Sequence, residues 1–335
     1  MGPVRLLLPI LTLGSAVNLV DHVAGGKTVS LPDNDPTCAQ TSQAVSADVC
    51  RVAMTVTTSD ASQITLEAWF PRDYSGRFVG VGNGGLGGCI QYYDLAYTSS
   101  LGFAAVEDFV YRSVHTGIVV GKQLTKLFYD EGFDKSYYLD ELDGIVSGAP
   151  AFNFIGLQSW SAHFYPIIGP VGSGTYLSVD DWSLVHDEVL RQCDGLDGAM
   201  DGIIEDPDVC HPNMVPILCM PWSDEDKCLT TAQVNTVHQV FSPLLSANGS
   251  IIYPRMQPGS KNWASQFMYN GQPFPLSTDW WRYVIYNDPT WDASTWTVKD
   301  AEAAIKQNPY NIATWNADLA PLRDAGTKLL TYHGL

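Results

Sequence analysis

The chain has 335 residues, of which 45% are hydrophobic and 16% charged, and its 18 basic and 36 acidic side chains give a formal net charge of −18. That composition belongs to a globular chain able to bury a sizeable core, with a length prior of about two domains or one domain carrying a large insertion. The acidic balance, with lysines and arginines scattered rather than clustered, argues against a phosphate-backbone partner, so no nucleic acid is expected to bind.

In chain order, residues 1–25 read first as a secretory signal peptide. Arg5 supplies the positive start, and residues 6–17 form an apolar run of about a dozen residues, too short to cross a ~30 Å hydrocarbon layer. Small residues at 14–16 and at 24–26 offer two cleavage positions. Leu6 stands where a myristoylation signal wants Ser or Thr, and no later run is long enough to span a membrane, so no membrane partner is expected.

Residues 52–71 alternate apolar and polar side chains in two short runs, the pattern of a hairpin of exposed strands. Residues 77–82 (RFVGVG) read as a third strand leading into the glycine-rich 82–88, and 101–106 as another. Residues 108–129 predict a long helix, because Phe109, Val110, Val114, Ile118, Leu124, Leu127 and Phe128 recur at helical spacing. Residues 137–139 and 143–147 are short strand-like pieces.

From 152 to 309 the texture shifts to Trp, Pro, Gly and Cys, with helices expected at 180–191, near 231–245 and at 299–306. This stretch reads as a lid domain inserted into a core made of 26–151 and 310–335. A helix at 318–325 and an apolar core strand at 328–332 close the chain. Strands alternating with helices around an insertion predict an α/β sheet.

Cysteine usage points to an extracellular, oxidising location. Cys193/Cys210 and Cys219/Cys228 have separations that suit local disulfides. Cys38 and Cys50 can make a third pair, which leaves Cys89 alone. A zinc site finds no C-x2-C pair to support it. Asn248-Gly249-Ser250 is an N-glycosylation sequon.

The densest constellation is residues 193–210, CDGLDGAMDGIIEDPDVC. It holds Asp194, Asp197, Asp201, Glu205, Asp206 and Asp208 with no Lys, Arg or His. Two carboxylates about 5 Å apart repel by roughly 3 kcal/mol at an effective dielectric of about 20, so this clustering calls for a cation. Calcium suits the chemistry, since it takes carboxylate and carbonyl oxygens in flexible geometry. Gly195, Gly198 and Gly202 follow the three leading aspartates and let the backbone turn toward one centre. The aspartate spacing differs from that of an EF-hand.

Several stretches together resemble the tannase and feruloyl esterase family of fungal and bacterial serine esterases. They are GNGGLGG (82–88), YRSVHTG (111–117), GKQLTKLFY (121–129), DGIVSGAPA (143–151), the acidic loop, YNDPTWD (286–292) and KLLTYHG (328–334), in the family's order. The resemblance implies an α/β-hydrolase core with a lid that carries a calcium site. The implied calcium ligands are the side chains of Asp194, Asp197 and Asp201 and the carbonyls of Ala199 and Ile203. Gly84 or Gly85 would donate an oxyanion-hole amide. The implied reaction is hydrolysis of a small aromatic ester, gallate or hydroxycinnamate, through an acylated serine.

Three departures from the family set an opposite expectation for catalysis. Only Asp140, Glu141 and Leu142 separate the strand-like pieces where relatives carry the nucleophile turn and a helix, and three residues cannot make a parallel crossover. Val106 runs straight into Glu107 where relatives have a Gly- and Asn-rich loop, and Leu335 falls before the expected triad Asp and His. The half-cystines that accompany the nucleophile and the triad His are also missing, and Cys89 is expected to be unpaired. No G-x-S-x-G occurs; Ser147 lies on an expected strand, His115 inside a helix, and His333 at a strand end. Trp280, Trp281, Trp291 and Trp296 read as lid core rather than as a substrate pocket. The chain as written is therefore expected to be inactive.

Overall fold

The computed structural model describes residues 15–32, 34, 38, 40–60, 62–82, 88–107, 111–130, 132–137, 143–221, 228–260, 263–313 and 318–333, without the side chains of 15, 111–114 and 263. The chain divides into two compact units, Met1–Ala149 with Asp318–Tyr332, and Pro150–Ala317 with His333–Leu335.

The elements of the first unit are β1 (Ser15–Val23), β2 (Lys27–Ser30), β3 (Ser42–Val45), β4 (Val49–Ser59), β5 (Ser62–Pro71), β6 (Arg77–Val81), α1 (Tyr92–Ser100), β7 (Phe103–Glu107), α2 (Tyr111–Tyr129), β8 (Lys135–Tyr137) and β9 (Gly144–Gly148). The second unit holds α3 (Phe154–Ile168), α4 (Val179–Cys193), α5 (Thr231–Val240), β10 (Leu244–Leu245), β11 (Ile251–Tyr253), α6 (Trp263–Phe267), α7 (Pro275–Asp279) and α8 (Val298–Gln307). The chain then returns to the first unit through α9 (Ala320–Asp324) and β12 (Lys328–Tyr332).

Eight strands form one mixed sheet in the order β1-β4-β5-β7-β6-β8-β9-β12. The β1/β4, β4/β5 and β5/β7 pairs are antiparallel, and the pairs from β7 to β12 are parallel. Period-two alternation builds a core on each face. Val52, Met54 and Val56 of β4 pack with Leu66, Ala68 and Phe70 of β5 beneath Ile118, Val120 and Leu124 of α2. On the other face Val49, Trp69 and Ala105 meet Tyr92, Leu95 and Ala96 of α1. Gly121 sets the approach of α2, because a Cβ there would lie 2.6 Å from Val106 Cγ2.

β1 lies within the stretch expected to be a leader. It pairs with β4 from Ser15↔Val56 to Val23↔Val49.

β8 and β9 are parallel neighbours in the sheet, although too few residues separate them for a crossover. β8 ends at Tyr137, β9 starts at Gly144, and the two meet through the single parallel pair Tyr137↔Gly144. The start of β9 is level with the end of β8, and residues 138–142, which join them, lie outside the described residues. Asp143 bridges the two strands: its carboxylate accepts from Lys135 Nζ at 2.7 Å and from Ser136 N at 2.9 Å, while its own N donates to the Ser136 carbonyl.

The β9/β12 ladder has one face of exposed apolar side chains. Val146 of β9 is 59% exposed, and Leu330 and Tyr332 of β12 are 59% and 63% exposed. Parallel strands are ordinarily covered on both faces by their crossover helices. In the β9/β12 ladder these three apolar side chains are exposed.

The third disulfide is also a correction. Cys38 pairs with Cys89, and Cys50 is the free thiol. Strand parity explains it: Cys50 shares the face of Val52 and Met54 and packs against the α2-side core. Cys38 and Cys89 line the opposite face with Arg51, Ala53 and Glu67. A Cys38–Cys50 bond would have to pass through the sheet.

In the second unit, Phe164, Trp182, Val189, Met214, Leu229 and Val237 form one buried cluster. Reciprocal capping boxes start α4 (Ser178 with Asp181) and α5 (Thr230 with Gln233), satisfying amides that have no partner within the helix. Asn153 caps α3 through Gly156 N and ties it to β11 by donating to the Ile252 carbonyl.

Candidate functional site

In parallel sheets the reactive loops leave the C-terminal strand ends. β6 ends at Val81, and the loop it feeds, with Gly84 and Gly85, lies outside the described residues. Ser147 pairs with Thr331 in the β9/β12 ladder, so it sits on a strand and not on a strand-to-helix turn. His115 is exposed on α2. Among the described residues no histidine hydrogen-bonds to a serine hydroxyl; the ring of His163 instead donates through Nδ1–H to the Trp160 carbonyl.

The acidic loop is fully described. Disulfides join Cys193 to Cys210 and Cys219 to Cys228. Asp194–Asp197 makes a 3-10 turn that continues α4, and Gly198 (φ 93°) and Gly202 (φ 79°) take the left-handed conformation that folds the chain back on itself. Each leading aspartate accepts an amide of the loop. Asp194 Oδ1 takes Gly202 N at 2.8 Å, Asp197 Oδ1 takes Ala199 N at 2.9 Å, and Asp201 Oδ1 takes Ile203 N at 3.1 Å.

A cation does reach this loop, but not its carboxylates. Arg255 donates to the carbonyls of Pro207, Asp208 and Cys210. No ion pair to a loop carboxylate and no cluster of three or more potential ligand side chains occurs among the described residues. The negative charge of the loop is thus unneutralised, with Asp194 only 7% exposed. Each of the three aspartates bonds to neutral amides of the loop, and their side chains are not gathered into one ligand cluster.

The tryptophans are core. Trp280, Trp281 and Trp296 are buried, and Trp281 packs against Tyr286, Trp291 and Trp296. A π-helical turn, Trp280–Ile285, places two consecutive indoles inward. His163 belongs to the same interior, 6% exposed beside Phe164 and Trp296. Burial drives its pKa down to about 4 against the opposing pull of the Trp160 carbonyl.

Sequence reasoning missed a buried ion pair. Arg51 Nε donates to Glu67 Oε1 at 2.6 Å, and Trp69 Nε1 donates to the same oxygen. With Tyr92 and the Cys38–Cys89 bond, the pair lines a cleft of about 620 Å³ in the first unit. Burial and the neighbouring Glu67 carboxylate raise the pKa of Tyr92, keeping its phenol protonated. The available signal was parity, since Arg51 and Glu67 sit on the same face as Val49 and Trp69.

A mixed sheet flanked by helices, with a helix-rich second unit, defines an α/β protein. The profile of the family described as tannase and feruloyl esterase matches residues 95–335, and the chain belongs to that family. It is 60% identical over 401 positions to a probable feruloyl esterase B of Emericella nidulans, covering 100% of this chain and 76% of the relative. A solved esterase from Aspergillus oryzae superposes with a TM-score of 0.94 at 56% identity, over 98% of this chain and 73% of the other. Feruloyl esterase B from Aspergillus oryzae gives 0.91 at 46% identity, over 97% and 72%. The 401 matched positions exceed the 335 residues present here by 66, so the Emericella relative carries segments inside the matched span that this chain does not.

Proposed function

We propose that this chain derives from a secreted carboxylic ester hydrolase acting on phenolic-acid esters, hydroxycinnamate or gallate, with an α/β-hydrolase core and a calcium-bearing lid. The observation that carries the reading is the 60% identity, spanning the whole chain, to a probable feruloyl esterase B. Three disulfides support an extracellular setting. A ligand-binding lineage without turnover finds no support among relatives named as esterases.

The 335-residue polypeptide itself lacks the acylation turn. The reaction needs a serine on a strand-to-helix turn, a histidine that takes its proton, and amides that hold the tetrahedral oxyanion. This chain contributes the loop after β6, where Gly84 or Gly85 would donate to the oxyanion. The few residues between β8 and β9, and the exposed side chains of the β9/β12 ladder, support placing the nucleophile turn and its helix there. Inserting the relative's segments after Val106 and Leu139, and its triad-bearing segments downstream of β12, should yield hydrolysis of methyl ferulate or methyl gallate. A well-folded restored chain that cleaves neither ester but cleaves unrelated short-chain esters would overturn the phenolic assignment.

Calcium would be held by the side chains of Asp194, Asp197 and Asp201 with the carbonyls of Ala199 and Ile203. Its role is to neutralise the loop and fix the lid, and no step of the ester chemistry runs through it. Isothermal titration of the full chain should show calcium binding that Asp197→Asn weakens by about tenfold or more. Equal affinity in the two proteins would refute the ligand assignment.

A further inference from the structure

The β10–β11 hairpin of the second unit carries a feature that esterase chemistry does not use. Its turn is 246–250, with Asn248-Gly249-Ser250 at the tip. We propose that Asn248 bears an N-linked oligosaccharide whose innermost sugar covers the exposed Leu245–Ile251 pair flanking the turn. The inference rests on the reading of the chain as secreted.

Two independent observations support it. The first is the geometry of the turn. Ser246 N donates to the Ser250 carbonyl at 2.8 Å, and Ala247 N donates to Glu302 Oε1 of α8 at 2.7 Å, so the turn is pinned at both levels. Asn248 Oδ1 accepts from Ser250 N at 3.0 Å and from Ser246 Oγ at 2.5 Å. This Asx turn occupies the amide oxygen and leaves Nδ2 without a partner among the described residues. Asn248 is exposed, Gly249 has a φ of 86°, and a Cβ built on Gly249 would meet nothing within 4 Å. A bulky donor has open access.

The second observation is the exposed apolar pair that flanks the turn. Leu245 and Ile251 are directly opposite in the ladder and therefore share a face, at 41% and 67% exposure. The next pair, Leu244 and Tyr253, belongs to the inner face, where Leu244 is buried. A pyranose presents a face of C–H groups, and seating it on this pair removes apolar surface from water. The polar rest of the glycan then faces solvent.

The transfer balances with a donor of known class, an oligosaccharide on a lipid diphosphate. Asn248 Nδ2 bonds to the sugar C1, and the C1–O bond to phosphate breaks with its electron pair on the departing lipid diphosphate. The Nδ2 proton passes to a base of the transferase, and nothing is oxidised or reduced.

The test for occupancy is translation of the full chain, with its own N-terminus, in the presence of microsomes. The expected product is protease-protected and shifted by one glycan. Peptide N-glycosidase should remove the shift and convert Asn248 to Asp. Asn248→Gln and Ser250→Ala should each abolish the shift, and Ser250→Thr should keep it. A protected but unshifted chain overturns the glycan while the secretory reading stands, and a chain left outside the microsomes overturns both. The test for cover is thermal melting of purified protein, where removing the glycan should lower Tm by about 2–4 °C. That difference should vanish in a Leu245→Ser/Ile251→Ser background, and an unchanged Tm on deglycosylation overturns the covering role.

Discussion

A polypeptide of these 335 residues is expected to hydrolyse neither methyl ferulate nor methyl gallate above a buffer blank. Between the end of β8 at Tyr137 and the start of β9 at Gly144 the sequence is Tyr-Leu-Asp-Glu-Leu-Asp, with no serine. The nearest serines are poor substitutes. Ser136 is buried at 3% exposure on β8, and Ser147 is locked in register with Thr331. Losing the nucleophile of a serine-hydrolase triad costs on the order of 10⁶-fold in kcat. The residual ~10³–10⁴-fold catalysis over water needs an intact oxyanion site and bound substrate. With these apolar side chains of the β9/β12 ladder exposed, the sheet beside that site is poorly supported, and the chain should also aggregate on refolding. Measurable turnover of either ester by the unaltered polypeptide would contradict this.

The second large effect is on the stability of the second unit at mild acidity. His163 on α3 is neutral in the folded state down to about pH 4. In the unfolded chain it titrates near pH 6.5. Below about 6.5 the unfolded state therefore binds a proton that the folded state refuses. This contribution is fully present above about pH 6.5 and is lost as the pH falls toward about 4, by roughly 3 kcal/mol at most. Urea midpoints of the wild type should fall more steeply across that window than those of His163→Gln. Equal slopes would show that His163 protonates in the folded state and that its packing against Phe164 and Trp296 is loose.

The sequence revealed those parts of the fold that local chemistry dictates. The alternation in β4 and β5, the apolar period of α2 and the acids of the 193–210 loop are all local patterns. What stayed hidden depends on contacts between distant segments. β1 was masked because its first residues continue an apolar run that suits a leader, and its register with β4 is not a local property. α3 contains Gly156 and Pro166 and is apolar on most sides, so it shows little of the helical period of a half-buried helix. The Cys38–Cys89 bond joins residues 51 apart, and spacing favoured the nearer Cys50. Glu67 falls in the stretch read as exposed strands, yet it is buried against Arg51 on the face that α1 covers.

The candidate site was legible only in part, and for the same reason. The acidic residues proposed to hold calcium fall within the sixteen residues between Cys193 and Cys210, so composition alone exposes the loop. An esterase triad is assembled from separate strand ends and has no local signature beyond the nucleophile turn. The family motifs alone carry the expectation that the nucleophile turn is missing between β8 and β9.

Labelling with a serine-directed fluorophosphonate, followed by intact-mass and peptide analysis, tests the central claim most directly. The account predicts no stoichiometric adduct on the folded 335-residue chain. It predicts a single adduct, on the inserted serine, once the nucleophile turn and its partner segments are restored. One mole of adduct per mole of the unaltered chain, at a single serine and with matching loss of ester hydrolysis, would contradict it.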